Sequence, residues 1–126
     1  MYMHFIPTIL EKQNIPFTGT SAEALFTTTD KILTKRLLNI YKIETPHWVT
    51  LDDLDKKNFQ MPVIIKPIYT DASVGLDDNS IIYNRSILKD ELIKRSVKYG
   101  KCFIEEFIDG REFNISILDT DEGVKV

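Results

Sequence analysis

Apolar positions along this chain switch between a helical spacing and a two-residue alternation, and the switches divide it into short elements. Between Asp30 and Tyr41 the residues Ile32, Leu33, Leu37, Leu38 and Tyr41 recur at helical spacing, with Thr29 or Asp30 able to cap the start. Lys31 and Lys35 lie one turn apart on this helix, a spacing that a solvated polar face also explains. Upstream, Ile6 to Gln13 predicts a short helix and Ile15-Pro16-Phe17 a strand. After the Thr18-Gly19-Thr20 turn, Ser21 can cap a further brief helix. Pro46 ends this part, His47 to Leu51 resumes as a strand, and Asp52 to Phe59 reads as a short helix with an acidic cap.

Four later stretches, Val63–Lys66, Ser80–Tyr83, Cys102–Ile108 and Glu112–Leu118, carry strand patterns. A helix near Ser86–Lys98 lies between the second and third, with Ile87, Leu88, Leu92, Ile93 and Val97 as its apolar face. The expected fold class is α+β: a small antiparallel sheet packed on helices in two layers, with a short flank before it. Residues 1–29 are expected to form that flank and residues 30–126 the main unit. Asp119 to Gly123 should turn into one more strand at Val124.

Composition narrows the class without naming a chemistry. With 126 residues, 43% hydrophobic and 28% charged, the chain has the make-up of a globular domain long enough for one core. A net charge of −3 and the lack of a long Lys/Arg run argue against nucleic-acid binding by the whole surface. No apolar stretch approaches the roughly 20 residues of a membrane span, so no membrane partner is expected and the cytoplasm is the default location. The lone Cys102 sits in an apolar run, where a buried strand thiol is the expected role.

Candidate chemistry concentrates between Val63 and Phe113. Lys66 leaves the apolar strand Val63-Ile64-Ile65, so its stem would be anchored while its ammonium reaches a ligand or, as for any strand-end lysine, solvent. A small-residue loop, Asp71-Ala72-Ser73-Val74-Gly75, follows. Glu105 and Glu112 flank Asp109-Gly110. Ionised carboxylates accept hydrogen bonds, which suits the amino and hydroxyl groups of a nucleoside and equally suits two outward positions on a solvated hairpin. His4 and His47 lack partners at metal spacing, and Trp48 and Phe59 fit packing roles. The acidic turn at Asp119 to Gly123 lacks the length and ligand order of a calcium loop. No Walker phosphate loop, nucleophile elbow or protein-kinase motif set occurs.

Taken in order, Ile15-Pro16-Phe17-Thr18-Gly19, Asp30 through Leu38, the Lys66 strand, the small-residue loop, and Glu105 through Phe113 resemble the ATP-grasp superfamily, and within it the D-alanine-D-alanine ligases and their close relatives. The resemblance runs from about Phe5 to Leu118. It implies an ATP-grasp central region, with residues 1–29 as the remnant of a preceding domain and linker. It also implies an ATP-dependent carboxylate-amine ligase that works through an acylphosphate, with ATP, Mg2+ and an amino-acid or other carboxylate substrate. A place in peptidoglycan biosynthesis and a homodimer are further implications. By the same resemblance Lys31 and Lys66 bind the ATP phosphates, and Glu105 accepts from the adenine amino group. The backbones of Glu106 and Ile108 pair with the ring edge, and Glu112 holds the ribose. Ser73, in the catalytic loop, closes over the terminal phosphate.

Two departures stand out. Many D-alanine-D-alanine ligases read Glu-Gly-Ser-Ser ahead of the Val-Gly step, where this loop reads Thr70-Asp71-Ala72-Ser73. Asp71 thus brings negative charge toward the expected polyphosphate unless it points away, meets a cation or contacts an amine. The resemblance also starts late and stops early, so the family's magnesium ligands are expected past Val126 and the isolated chain is expected to be catalytically incomplete. A non-catalytic ATP-binding module or an interaction fragment is the alternative.

Overall fold

The computed structural model describes residues 2–120 and 122–125, and three short helices lead into its sheet: α1 (Phe5–Lys12), α2 (Ala22–Thr29) and α3 (Lys31–Ile40). Ser21 caps α2 by accepting from the Ala24 amide at 3.2 Å. Asp30, not Thr29, caps α3, its carboxylate accepting from the amides of Ile32 at 2.9 Å and Leu33 at 3.0 Å. The strand expected at Ile15–Phe17 does not form. Pro16 offers no donor to a ladder, and the Ile15 amide is spent on the Leu10 carbonyl, which closes the end of α1.

Four strands then build one antiparallel sheet in the order β1-β4-β2-β3: β1 (Trp48–Thr50), β2 (Val63–Pro67), β3 (Ile81–Ile82) and β4 (Cys102–Glu106). Helix α4 (Arg85–Tyr99), capped by Asn84 and ended at Gly100, crosses between β3 and β4 as expected. The helix expected over Asp52–Phe59 shrinks to a single 3₁₀ turn at Leu51–Asp53, beyond which Leu54 drops into the core.

Alternation along the strands makes the sheet two-faced. Val49, Val63, Ile65, Cys102 and Ile104 point to one side, where Leu88 and Leu92 of α4 complete the main core with Leu54 and Ile82. Phe103 points to the other side and packs with Ile32 of α3, Ile68 and the half-buried Trp48 and Tyr69. The two helices therefore lie on opposite faces of the sheet. The α3 face is covered only in part, which leaves room beside Ile64, Lys66 and Glu105.

Strand β4 stops at Glu106 instead of Ile108, and Glu112–Leu118 is irregular as far as Ile117, so no hairpin forms at Asp109-Gly110. The reason lies in the sheet order. With β1 on one edge of β4 and β2 on the other, no edge of β4 remains for a returning segment to pair with. Phe113, Ile115 and Ile117 keep their alternating pattern yet are each about two-thirds exposed. Only Leu118 joins a strand, β5 (Leu118–Thr120), which pairs with β6 (Gly123–Lys125) in a separate ribbon that includes the strand expected at Val124. Asp121, within the expected turn, lies outside the described residues.

Leu92 is fully buried where α4 meets the sheet, away from the α3 face. Leu92→Ala should lower unfolding free energy by about 3 kcal/mol through lost burial and the cavity left behind. Urea denaturation checks this, and a loss under about 1 kcal/mol would show that α4 does not anchor the core.

Candidate functional site

The partly open face of the sheet collects charge at its centre. Ile64 of β2 is the register partner of Glu105 on β4, and Lys66, two residues on, shares that face and lies diagonal to Glu105. Glu105 is only 6% exposed, an unusual position for a carboxylate. It is met from two sides. Lys35 Nζ of α3 lies 2.7 Å from Glu105 Oε2, and Lys66 Nζ pairs with Glu105 Oε1. Lys35 also donates to Thr45 Oγ1 at 2.6 Å and to the Pro46 carbonyl at 3.1 Å. The buried carboxylate thus has an ammonium on each oxygen, and the buried ammonium has three oxygen partners.

A cleft of about 510 Å³ opens over this cluster. Lys66, Ser73, Glu105, Glu106, Ile108 and Glu112 all line it, with Pro46, Ile64 and Leu76 among its apolar contacts. Six of the seven residues singled out from the sequence therefore share one cavity. Lys31 is the one that does not line it. Its Nζ donates to the Thr70 carbonyl and lies 3.5 Å from Asp71 Oδ1, so it sits under the start of the small-residue loop. Of the three outcomes open to Asp71, meeting a cation is the one realised.

The loop between β2 and β3 is held at both ends. Ala72 and Ser73 adopt left-handed backbone with φ of 53° and 58°, a conformation that costs roughly 1–3 kcal/mol per non-glycine residue. Hydrogen bonds from the Val74 amide to the Asp71 carbonyl and from the Leu76 amide to the Ser73 carbonyl hold the turn. At the far end Arg95 of α4, itself buried, donates to the Gly75 carbonyl at 3.1 Å and to the Asp77 carboxylate. Gly75 has φ +80°, and a Cβ there would stand 2.9 Å from the Pro67 ring and 3.1 Å from the Tyr99 ring, so only glycine fits.

Beyond β4 the main chain changes role. The Glu106 amide donates to the His47 carbonyl at 2.9 Å and the Phe107 amide to the Pro62 carbonyl at 3.0 Å. Among the described residues no acceptor meets the Ile108 amide, which borders the cleft. The Glu106 carboxylate accepts from the Gln60 amide at 3.2 Å. Glu112 stands exposed on the irregular segment at the cleft rim. The solvated-hairpin alternative fails for Glu105, which is buried, and no hairpin joins it to Glu112.

Lys35 is a partner of Glu105 that the sequence reading does not single out. Its signal was there: it lies three positions after Ile32, and these two are the residues that α3 buries. Read as one turn from Lys31, it counted instead as part of a polar face. Cys102 is a buried strand thiol as expected, and burial pushes its thiol above the ordinary 9.0. No helix among the described residues is long and apolar enough to cross a membrane.

Known proteins share the sequence pattern and the fold of this chain. The family described as D-ala D-ala ligase C-terminus matches residues 36–126. The D-alanine--D-alanine ligase of Marinomonas sp. (strain MWYL1) is 34% identical over 119 residues, which take in 90% of this chain and 37% of that protein. The crystal structure of D-alanine-D-alanine ligase from Helicobacter pylori superposes with a TM-score of 0.69 at 28% identity, over 83% of this chain and 33% of the other. An L-amino acid ligase from Bacillus licheniformis shares the fold, with a TM-score of 0.70 at 23% identity over 98% of this chain and 28% of the other. The chain spans a little over a third of the length of the curated relatives it matches.

The Arg95 anchor makes a pH prediction. The hydrogen bond from Arg95, opposed in part by desolvation, holds the Asp77 carboxyl below its ordinary 3.8. A carboxyl lowered in the folded state stabilises fully above its unfolded value, and that contribution is lost as pH falls through the folded value. Thermal melts of wild type and Asp77→Asn should therefore diverge at neutral pH and converge once pH has fallen through the lowered folded-state value of this carboxyl. Parallel acid slopes in the two proteins would remove Asp77 as an anchor of the loop.

Proposed function

The chain belongs to the D-ala D-ala ligase C-terminal family of the ATP-grasp ligases, and on that premise we propose that its cleft binds ATP for an ATP-dependent carboxylate-amine ligation. The observation that carries this reading is the convergence of Lys66, Ser73, Glu105, Glu106, Ile108 and Glu112 on one cavity floored by a buried, doubly paired carboxylate. Each lining group suits one part of the nucleotide. Glu105 accepts from the adenine amino group, the Ile108 amide donates to a ring nitrogen, and the Glu106 carbonyl takes the second amino hydrogen. Glu112 on the rim accepts from the ribose hydroxyls.

Lys66, about a third exposed, turns from Glu105 toward the phosphates, and Lys31 at the base of the loop adds a second ammonium. Ser73 and the neighbouring backbone cover the terminal phosphate and keep water from it. In the ligation, the carboxylate of one substrate takes the γ-phosphoryl group and releases ADP. The amine of a second substrate then displaces phosphate from the acylphosphate to form the amide. Amino acids are the substrates proposed, as the names of the relatives suggest, with a role in peptidoglycan synthesis in the cytoplasm.

Magnesium would neutralise the phosphates in such a reaction. Among the described residues no group of three or more His, Cys, Asp or Glu side chains is disposed to hold a metal, so the residues present do not by themselves fit the ion and no step is derived through it. We propose residues 1–29 as a flank and 30–126 as the nucleotide-binding unit. Homodimerisation of the ligase is likewise a proposal. A second reading, a non-catalytic module that docks on another polypeptide, is favoured by the exposed Phe113, Ile115 and Ile117.

Two substitutions separate the phosphate and ribose roles. Lys66→Ala should weaken ATP at least tenfold, the value of about 1.5 kcal/mol for a charged hydrogen bond, and adenosine far less. Equal losses in titration calorimetry reject the phosphate role. Glu112→Gln should weaken ATP and adenosine alike by about threefold to tenfold, and unchanged affinity for both removes the ribose role.

A further inference from the structure

The two lysines that meet Glu105 differ in how they are held. Lys35 is buried on α3, with 9% of its side chain exposed, and donates to Thr45 Oγ1 and the Pro46 carbonyl as well as facing Glu105 Oε2. Lys66 is 30% exposed, lines the cleft, and has Glu105 as its one anionic partner among the described residues. One ammonium is locked by three oxygens; the other is free to leave. A carboxylate buried at 6% exposure cannot be left without a cation, because an unpaired charge in that setting carries the full desolvation cost.

We propose that Lys35 is the positioning residue for base recognition: a fixed counter-ion that holds the Glu105 carboxylate aimed at the cleft while Lys66 exchanges Glu105 for the nucleotide phosphates. This inference rests on the reading of Glu105 as the acceptor for the adenine amino group. Lys35 holds one carboxylate oxygen from the α3 side, so the oxygen that Lys66 vacates is the one presented to the base. Thr45 and Pro46 set the height of the ammonium, and Pro46 also lines the cleft, so the support and the ligand wall are one piece of chain. Lys35 touches no part of the nucleotide in this arrangement. Its distinguishing effect is on selectivity for the exocyclic amino group.

The test compares ATP with purine riboside triphosphate, which lacks the amino group and keeps the ring nitrogens, by calorimetric or ligand-observed NMR titration of this chain. Wild type should prefer ATP by about tenfold, the worth of one charged hydrogen bond. In Lys35→Met the preference should fall to about twofold, whatever common loss both nucleotides suffer from Lys66 staying on Glu105. A merely structural role for Lys35 would weaken both nucleotides in parallel and leave their ratio unchanged, which overturns the inference.

If wild type shows no preference, or binds neither nucleotide, the reading of Glu105 fails and the inference with it. A preference in wild type that survives in folded Lys35→Met refutes the inference alone. Should Lys35→Met melt below the assay temperature, Thr45→Val takes its place. Removing that acceptor should lower the ratio measurably, and an unaltered ratio overturns the proposal.

Discussion

A carboxylate in the middle of a sheet organises this molecule. Glu105 lies on the central strand, paired with β1 on one side and β2 on the other, and its burial obliges other elements to bring cations to it. Lys35 comes from α3, and Lys66 comes from the neighbouring strand. Its burial thereby ties α3, β2 and β4 to one geometry, and the apolar contact of Ile32 with Phe103 and Ile68 supports the same docking from below. The open part of that face is where the cleft lies, because the α3 side has charge where the α4 side has Leu88 and Leu92.

The loop over the cleft follows the same logic of anchoring at a distance. Its left-handed residues, Ala72 and Ser73, persist because Lys31 grips one end and Arg95 the other. Each anchor comes from a helix on a different face of the sheet. A single loop thus reports on the packing of α3 and α4 together. The Asp71 departure from the commoner loop sequence is accommodated by Lys31, so the negative charge is compensated within the protein. Any polyphosphate that engages Lys31 meets that internal competitor first.

Legibility in the sequence varied by element. Helices α3 and α4 were plain from their spacing, and Asp30 and Asn84 supply the caps that bound them. The strand at Val63–Lys66 was equally plain, because β-branched residues ahead of a lysine describe a buried strand with a polar exit. Glu112–Leu118 misled for the same reason: its alternation is genuine, but a strand needs a partner edge, and β4 had none to offer. Ile15–Phe17 failed over a proline and a single amide already claimed by α1. The candidate residues on β2, the loop and β4 were grouped by the family resemblance, whereas Lys35 was hidden because a lysine on a helix is ordinarily solvated.

The family resemblance grouped lysine, small-residue loop and glutamates as one kind of site, and local spacing by itself determined helices α3 and α4 and the apolar strand at Val63–Lys66. Those properties depend on neighbours within a few positions and survive without a partner. Sheet order, the side of the sheet each helix covers, and the burial of Glu105 between Lys35 and Lys66 were decided by tertiary structure alone. Each depends on residues distant in the chain meeting in a low-dielectric interior, where charge must be paired and every strand edge can be used only once.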